Sequence, residues 1–293
     1  MEFANVEQLT KKPLPFKETL IIPIGDIQLQ TNRDTVDIDR LKKVLDFGIE
    51  HDAYYIGMGD FIDMESPSNR QFLRGATLYD SALDALDASA EDLEDELMKI
   101  FKPTIGRWLG LLEGHHFHQH QDGTTTDLRF AQYLKAPFLG TCGYIGLTFK
   151  TPAKHVNKQI SIWAHHGRGG GKLMSSSLNQ LEHVVRGFDA DIYLIGHHHK
   201  ANAAKPARIY PSFGPKHSLI RHRELILATT GSFLKGYLQD SQQGGRAGGL
   251  YPERGMMNPL TLGAVKIWLR PRYRQEKKWG RGGTPTIEMS VEI

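Results

Sequence analysis

The stretch AYYIGMGDFID (53–63) decides how the rest of the chain is read. Its first half is apolar and aromatic, as a buried strand requires, and it runs directly into Gly59-Asp60. A glycine at that point lets the backbone turn sharply and set a carboxylate at the strand's end. The same pattern recurs along the chain. TLIIPIGD (19–26) ends in Gly-Asp, RWLGLLEGHH (107–116) in Gly-His-His, KQISIWAHHG (158–167) in His-His-Gly, and DADIYLIGHHH (189–199) in Gly followed by three histidines. Between the first two strands, DIDRLKKVLDFGIE (37–50) carries Ile38, Leu41, Val44, Leu45 and Ile49 at helical spacing. Helices are expected at 78–101, 127–135 and 175–188. RELILATTGSFL (223–234) reads as a sixth strand. LGAVKIWLRP (262–271) and TIEMSVEI (286–293) read as closing antiparallel strands, and 241–255 as a long mobile loop. Strands alternating with helices, followed by a strand-rich return, predict an α/β fold. Residues 1–18 are expected as an N-terminal arm and 19–293 as a single domain. Within that domain, 64–105 is expected as a helical insertion or cap and 200–293 as a β-rich closing part.

Composition sets wide limits. The 293 residues are 40% hydrophobic and 24% charged, with a formal net charge of +3 and an isoelectric point near 8.8. This is an ordinary globular composition, long enough to bury a core around a site. The basic balance is too small to require nucleic acid by itself. A single cysteine, Cys142, cannot form a disulfide within the chain and is expected as a buried small residue. No signal-peptide pattern opens the sequence, and no apolar run reaches the roughly 20 residues of a membrane span. A cytoplasmic enzyme with no membrane partner is the expectation; the oligomeric state stays open.

Five strand ends thus deliver Asp26, Asp60, His115-His116, His165-His166 and His197-His198-His199. In open α/β sheets, ligands gather outside the carboxyl ends of the strands. One lone histidine would mean little. Here nine of the fourteen fall in these runs, once His118 and His120 are included, so carboxylates and imidazoles converging on one cavity is the reading to test. His118 and His120, just past the third strand, are expected at supporting or surface positions.

Taken in order, the blocks Gly25-Asp26-Ile27-Gln28, Gly59-Asp60-Phe61-Ile62-Asp63, Gly114-His115-His116-Phe117, His165-His166-Gly167 and Gly196-His197-His198-His199 resemble the calcineurin-like metallophosphoesterase superfamily, in its phage and bacterial type. The resemblance spans residues 25–199. It implies a four-layer α/β/β/α sandwich of mixed sheets flanked by helices. It also implies two divalent ions, Mn²⁺ foremost, with Fe, Zn²⁺, Mg²⁺ or Ni²⁺ as alternatives. Asp60 then resembles the carboxylate that bridges both ions, and Asp26 and His199 resemble ligands of the first. His197 and one of the pair His165/His166 resemble ligands of the second; His166 is favoured because Gly167 follows it directly. His116 resembles the residue that protonates the leaving group, and Asp63 the carboxylate that orients it. Three positions depart from the pattern. Gln28 stands in place of a histidine ligand, which weakens the first site or turns it toward Mn²⁺ or Mg²⁺. His115 stands in place of an asparagine ligand, and Phe117 in place of an acidic residue.

The chemistry follows from charge. A phosphate ester repels a water nucleophile. Two ions about 3.5–4 Å apart cancel charge on the phosphoryl oxygens and lower the pKa of a bridging water to yield hydroxide. His116 supplies the proton that the leaving oxygen needs. The expected activity is hydrolysis of a phosphodiester in nucleic acid (DNA or RNA) or a nucleotide, with nuclease action as one form. A phosphomonoesterase on nucleotides or phosphoproteins is the alternative. A metal-binding scaffold with reduced catalysis, suggested by Gln28, is a second one. GRGGGK (167–172) fails the Walker A spacing, but Arg168 and Lys172 are candidates for substrate-phosphate contacts. Arg270, Arg272, Tyr273, Arg274, Lys277, Lys278, Trp279 and Arg281 interleave basic and aromatic side chains, as a nucleic-acid contact would.

Overall fold

Thr19–Ile24 is buried at every position, and its side chains divide by parity. Leu20, Ile22 and Ile24 join one apolar cluster, while Ile21 joins another. A strand whose two faces are both covered must lie inside a layered fold. The computed structural model describes residues 9–75, 78–151, 157–214, 218–239, 242–243, 246–247, 249–274 and 284–293. In chain order the elements are β1 (Leu9–Pro15), β2 (Thr19–Ile24), α1 (Ile38–Glu50), β3 (Tyr54–Gly57), α2 (Pro67–Gly75), α3 (Asp80–Phe101), β4 (Trp108–Leu111), α4 (Thr126–Leu134), β5 (Cys142–Lys150), β6 (Asn157–His165), α5 (Ser175–Gly187), β7 (Ile192–Ile195), β8 (Ala201–Ala204), β9 (Ala207–Phe213), β10 (Ser218–Glu224), β11 (Ile226–Ser232), β12 (Gln242–Gln243), β13 (Arg246–Ala247), α6 (Tyr251–Arg254), β14 (Gly263–Ala264), β15 (Lys266–Arg274) and β16 (Thr284–Glu292).

Two mixed sheets result. One has the order β16-β15-β2-β3-β4; the other runs β1-β5-β6-β7-β11-β14, with β8 also paired to β11. β2, β3 and β4 are mutually parallel, as are β6, β7 and β11. Each sheet therefore presents three strand carboxyl ends in one direction. Pro23 is tolerated inside β2 because pairing with β15 ends at Ile21. One cluster packs Leu41, Val44 and Leu45 of α1, Leu93 and Leu97 of α3 and Phe130 of α4 against the first sheet. A second joins Ile21 and Ile56 of that sheet to Ile145, Ile162, Leu194 and Ile226 of the other. A third places Leu181 of α5 against Trp163, Tyr193 and Leu227. The helix ends are chemically marked. Asp37 caps α1 by accepting from the Arg40 amide at 2.9 Å, and Thr125 caps α4 by accepting from Leu128 at 3.3 Å.

Two departures from the sequence expectations have clear causes. The segment taken as an arm supplies β1, parallel to β5, with Leu14 buried between the sheets. Only Leu14 is fully buried in β1, and Thr10 and Lys12 share its face, so the segment carries no apolar alternation to read. β5 was missed because its glycines obscured the two-residue alternation of Ile145, Leu147 and Phe149. Within the stretch expected as a loop, β12, β13 and α6 form short pieces of structure. Cys142 is half-buried at the start of β5 rather than buried. Lys277, Lys278, Trp279 and Arg281 lie outside the described residues. Among the described residues no helix is long and apolar enough to cross a membrane.

Candidate metal centre

The turns after β2, β3, β4, β6 and β7 meet where the two sheets present their carboxyl ends. The backbone there is held in an unusual conformation. Nine non-glycine residues among those described have positive φ, and five of them are Asp26, Gln28, Asp60, His197 and His199. L-residues adopt that region at a cost, and such strain concentrates where a fold must aim side chains. Gly114 explains the close approach of the third turn. A Cβ at this position would sit 2.0 Å from Asp60 Oδ1. Without one, the amides of His115 and His116, the latter at 2.8 Å, both donate to that oxygen.

Asp60 Oδ1 is thereby satisfied, and its other oxygen is not. Asp26 behaves in the same way: Oδ2 accepts from the His197 amide at 2.8 Å, and Oδ1 has no partner. His166 Nδ1 lies 2.6 Å from the Met58 carbonyl. A carbonyl only accepts, so Nδ1 carries the hydrogen and Nε2 keeps its lone pair in the neutral ring. That Nε2 faces Asp60 Oδ2 at 3.2 Å. Asp26 Oδ1, Asp60 Oδ2 and His166 Nε2 are all buried without a hydrogen-bond partner, and they lie within 4.8 Å of one another. Three acceptors aimed at one point in a dry interior suit a cation. A second donor group, His115, His166 and His197, meets the same distance limit and shares His166. His115 Nδ1 and His197 Nδ1 are 3.2 Å apart.

The electrostatics agree. Burial pushes the Asp26 carboxyl up to about 7, and the Asp60 charge adds to this against His166. Burial also opposes charge on His166, but Asp60 and Asp26 outweigh it and raise the imidazole to about 10. Asp60 is buried too, yet the charge of a protonated His166 beside it holds it well below the usual carboxylate range. The protein alone balances its buried carboxylates with a proton on His166; a metal ion could replace that proton. Burial keeps His115 and His199 neutral, each lowered to about 4, which leaves their lone pairs free for coordination.

His199 is oriented by Ser232, which the sequence reading did not single out. The Ser232 hydroxyl lies 2.8 Å from the Asp26 carbonyl and 3.0 Å from His199 Nδ1. Its one hydrogen goes to the carbonyl, so His199 Nδ1–H donates to the hydroxyl oxygen. His199 Nε2 then faces Gln28 Nε2 at 3.3 Å and Asp26 Oδ1 at 3.8 Å. Gln28 is buried beside the group, where its amide can complete the donor set. His116 Nδ1 lies 2.8 Å from Asp63 Oδ1, and the ring lines the adjoining cleft.

His165 does not join either donor group. Residues 160, 162 and 164 of β6 face the other sheet, whereas Trp163 faces α5. Alternation therefore sends His166 toward the site and His165 away from it. His165 stacks on Trp163 and accepts from the Gly167 amide at 2.8 Å. Arg168, expected as a phosphate contact, is exposed and does not line the cleft; Lys172 does.

The cleft measures about 560 Å³, and Gly169, Gly170, Gly171, Met257, Asn258 and Leu260 contribute to its wall. The segment 257–260 carried no recognisable sequence signal. Lys200 was also missed: its ammonium donates to the carbonyls of Gly171 and Leu173, the latter at 2.7 Å. His198 lies 3.0 Å from Gln180 Oε1, and Gln180 donates to the Arg168 carbonyl. The run 197–200 thus alternates, with His197 and His199 at the site and His198 and Lys200 bracing the glycine-rich loop. Asp127 supports Gly114, accepting from its amide at 2.8 Å. Arg70 stacks on Phe117 at 3.8 Å and donates to the His115 and Phe117 carbonyls. The position expected to have lost an acidic support is held by a cation instead.

No protein-family model matches the chain, and no curated protein matches it. Among solved structures it is similar to wild-type Vps29 from Entamoeba histolytica complexed with Zn²⁺. That likeness has a TM-score of 0.35 and 11% identity, and covers 93% of this chain and 98% of that one. At this level it carries no argument about the site, which rests on its own geometry.

Proposed function

We propose that this chain is a two-metal phosphoesterase that hydrolyses a nucleotide-sized phosphodiester. The observation that carries the reading is the buried, unpartnered trio Asp26 Oδ1, Asp60 Oδ2 and His166 Nε2, overlapped by the donor group His115, His166 and His197. Asp26, Gln28, Asp60 and His199 would hold one ion; Asp60, His115, His166 and His197 would hold the other. When bound, such ions neutralise the phosphoryl oxygens and make water a stronger nucleophile at neutral pH. The three apolar clusters support the four-layer α/β/β/α order that the resemblance implies.

The chain's own groups account for the rest. Asp63 fixes the His116 ring through Nδ1, so Nε2 is the atom that can pass a proton to the leaving oxygen. Burial disfavours the charged ring, but the Asp63 hydrogen bond and the charges of Asp60 and Asp63 outweigh it and raise its pKa. His116 therefore stays protonated to higher pH than a free imidazole. Lys172 and the backbone of Gly169, Gly170 and Gly171 border the cleft and suit an anionic substrate. Its volume of about 560 Å³ falls in the range of small-molecule sites, roughly 300–1,000 Å³. This favours a nucleotide-sized ester over a polymer laid in a groove.

The test compares bis-p-nitrophenyl phosphate with p-nitrophenyl phosphate in the presence of Mn²⁺. The diester should be cleaved faster, chelation should abolish the rate, and Mn²⁺ should restore it. Asp60→Asn should reduce activity to background. If Asp60→Asn kept its Mn²⁺-stimulated diesterase rate, the two-metal reading would be lost.

A further inference from the structure

A second cluster of metal-binding side chains lies apart from the centre described above, where α3 packs on the loop that follows His116. His118, His120 and Asp87 each offer a ligand atom, and these atoms lie within 4.8 Å of one another. Asp87 Oδ1 is 2.7 Å from His118 Nε2 and 3.7 Å from His120 Nδ1. We propose that Asp87, His118 and His120 form an independent site for a single divalent transition-metal ion of the Zn²⁺ class, pinning α3 to the loop 117–121.

Both histidines are turned so that one nitrogen is engaged and the other faces the cluster. His118 Nδ1 lies 2.8 Å from Glu65 Oε1, and His120 Nε2 lies 3.2 Å from Glu94 Oε1. Each of these ring N–H groups donates to a buried carboxylate; His120 Nδ1 has no other partner, while His118 Nε2 meets Asp87 Oδ1. Carboxylate–histidine–metal chains use this arrangement to fix the tautomer and raise ligand basicity. Glu94 is itself held by Arg129 at 3.4 Å.

The decisive atom is His120 Nδ1. The residue is 3% exposed, and this nitrogen has no hydrogen-bond partner. It points at Asp87 Oδ1 from 3.7 Å. A buried lone pair facing a carboxylate oxygen is repulsive unless a cation lies between them. Asp87 is turned to match. Its Oδ2 accepts from the Gln121 amide at 3.2 Å and from the Gln121 side chain at 3.3 Å, which directs Oδ1 inward.

The backbone carrying the histidines is preformed. His120 N–H donates to the Thr124 carbonyl and Thr126 N–H to the His118 carbonyl. His118 Nε2 and Asp87 Oδ1 are now 2.7 Å apart. Bonds of about 2.0–2.2 Å at a tetrahedral angle would set them near 3.3 Å apart, so binding needs only a small side-chain adjustment. Two histidines and one carboxylate suit zinc and its neighbours better than Ca²⁺ or Mg²⁺. Three protein ligands leave a fourth position. A cavity of about 550 Å³, lined in part by Arg70, Leu83, Leu86 and Gln121, adjoins the cluster and gives a fourth ligand room. The site does not depend on the phosphoesterase reading.

Crystals of the wild-type protein soaked in Zn²⁺ should show an anomalous peak between His118 Nε2, His120 Nδ1 and Asp87. Zn²⁺ content would then be measured after dialysis in an Asp60→Asn/His166→Ala background. That protein should keep one equivalent, and adding His118→Ala/His120→Ala should remove it. Glu65→Gln in the same background should weaken Zn²⁺ binding about 10–100-fold. No peak at this position, with His118 found as an imidazolium between Glu65 and Asp87, would overturn the proposal. So would equal Zn²⁺ content with and without the histidine pair. The wild-type soak decides the matter even if the multiple variants fail to fold.

Discussion

At the residue scale, adjacent side chains with identical chemistry have opposite fates. His165 ends β6 and His166 follows it with the opposite parity, so that one stacks on Trp163 and the other faces Asp60. His166→Ala should therefore lower bound Mn²⁺ in a dialysed sample by at least one equivalent, and His165→Ala should leave it unchanged. Metal analysis of the two variants checks this directly. His116 gives a different signature. His116→Ala should cost about 10²–10⁴-fold in kcat while metal content stays constant; a parallel loss of metal would make it a ligand instead. Its raised pKa also has a sign that can be tested. The active form of an acid is protonated, so the rate should fall as pH rises through the pKa of His116. Removing the Asp63 charge with Asp63→Asn, which keeps an acceptor oxygen for Nδ1–H, lowers that pKa. The alkaline limb of the kcat profile should then move to lower pH, and an unmoved limb would assign it to another group.

At the scale of the element, the chain spends conformational strain at the turns. The strands are ordinary and the turns after them are not, with positive φ at Asp26, Asp60 and His197 immediately after apolar runs. These conformations hold because the strands behind them are paired on both sides. Gly114 is the most demanding case. Gly114→Ala would drive a methyl group into Asp60 Oδ1 and twist the carboxylate away from its partners. Metal affinity should drop about 10–100-fold, as for other losses of ligand orientation, while the circular dichroism spectrum is retained. Isothermal titration with Mn²⁺ would measure it, and unchanged affinity would show that the turn can relax without moving Asp60. Gly59 and Gly196 were legible in the sequence as glycines preceding ligands. Asp127, which holds Gly114 from the start of α4, was not, because an acidic residue in a first helical turn is common for reasons of the helix dipole alone.

At the scale of the whole molecule, two sheets share one apolar interior, and their carboxyl ends converge on the site. β1 matters here although its sequence looks like a polar arm. Leu14 is 1% exposed and belongs to the cluster between the sheets. Leu14→Ala should destabilise the protein by about 2–5 kcal/mol, measured by urea unfolding with metal removed. A surface arm would lose almost nothing. The exposed hairpin β9–β10, with Ile220 at 83% exposure, contributes little to that interior.

The sequence by itself determined which strands exist near the site, which residues end them, and that carboxylates and imidazoles cluster there. These follow from local properties: apolar runs, glycine before a turn, and the reach of one residue. It could not decide between His165 and His166, because that choice depends on which face of β6 the second sheet covers. It could not recover β1, whose place is set by pairing with β5 more than a hundred residues away. Nor could it find the partners of His118 and His120, which it placed only at supporting or surface positions. In sequence they follow His116 closely, whereas in space the packing of α3 surrounds them with Glu65, Asp87 and Glu94. Tertiary structure alone decides such questions, because a side chain's chemistry is set by the groups that surround it after folding.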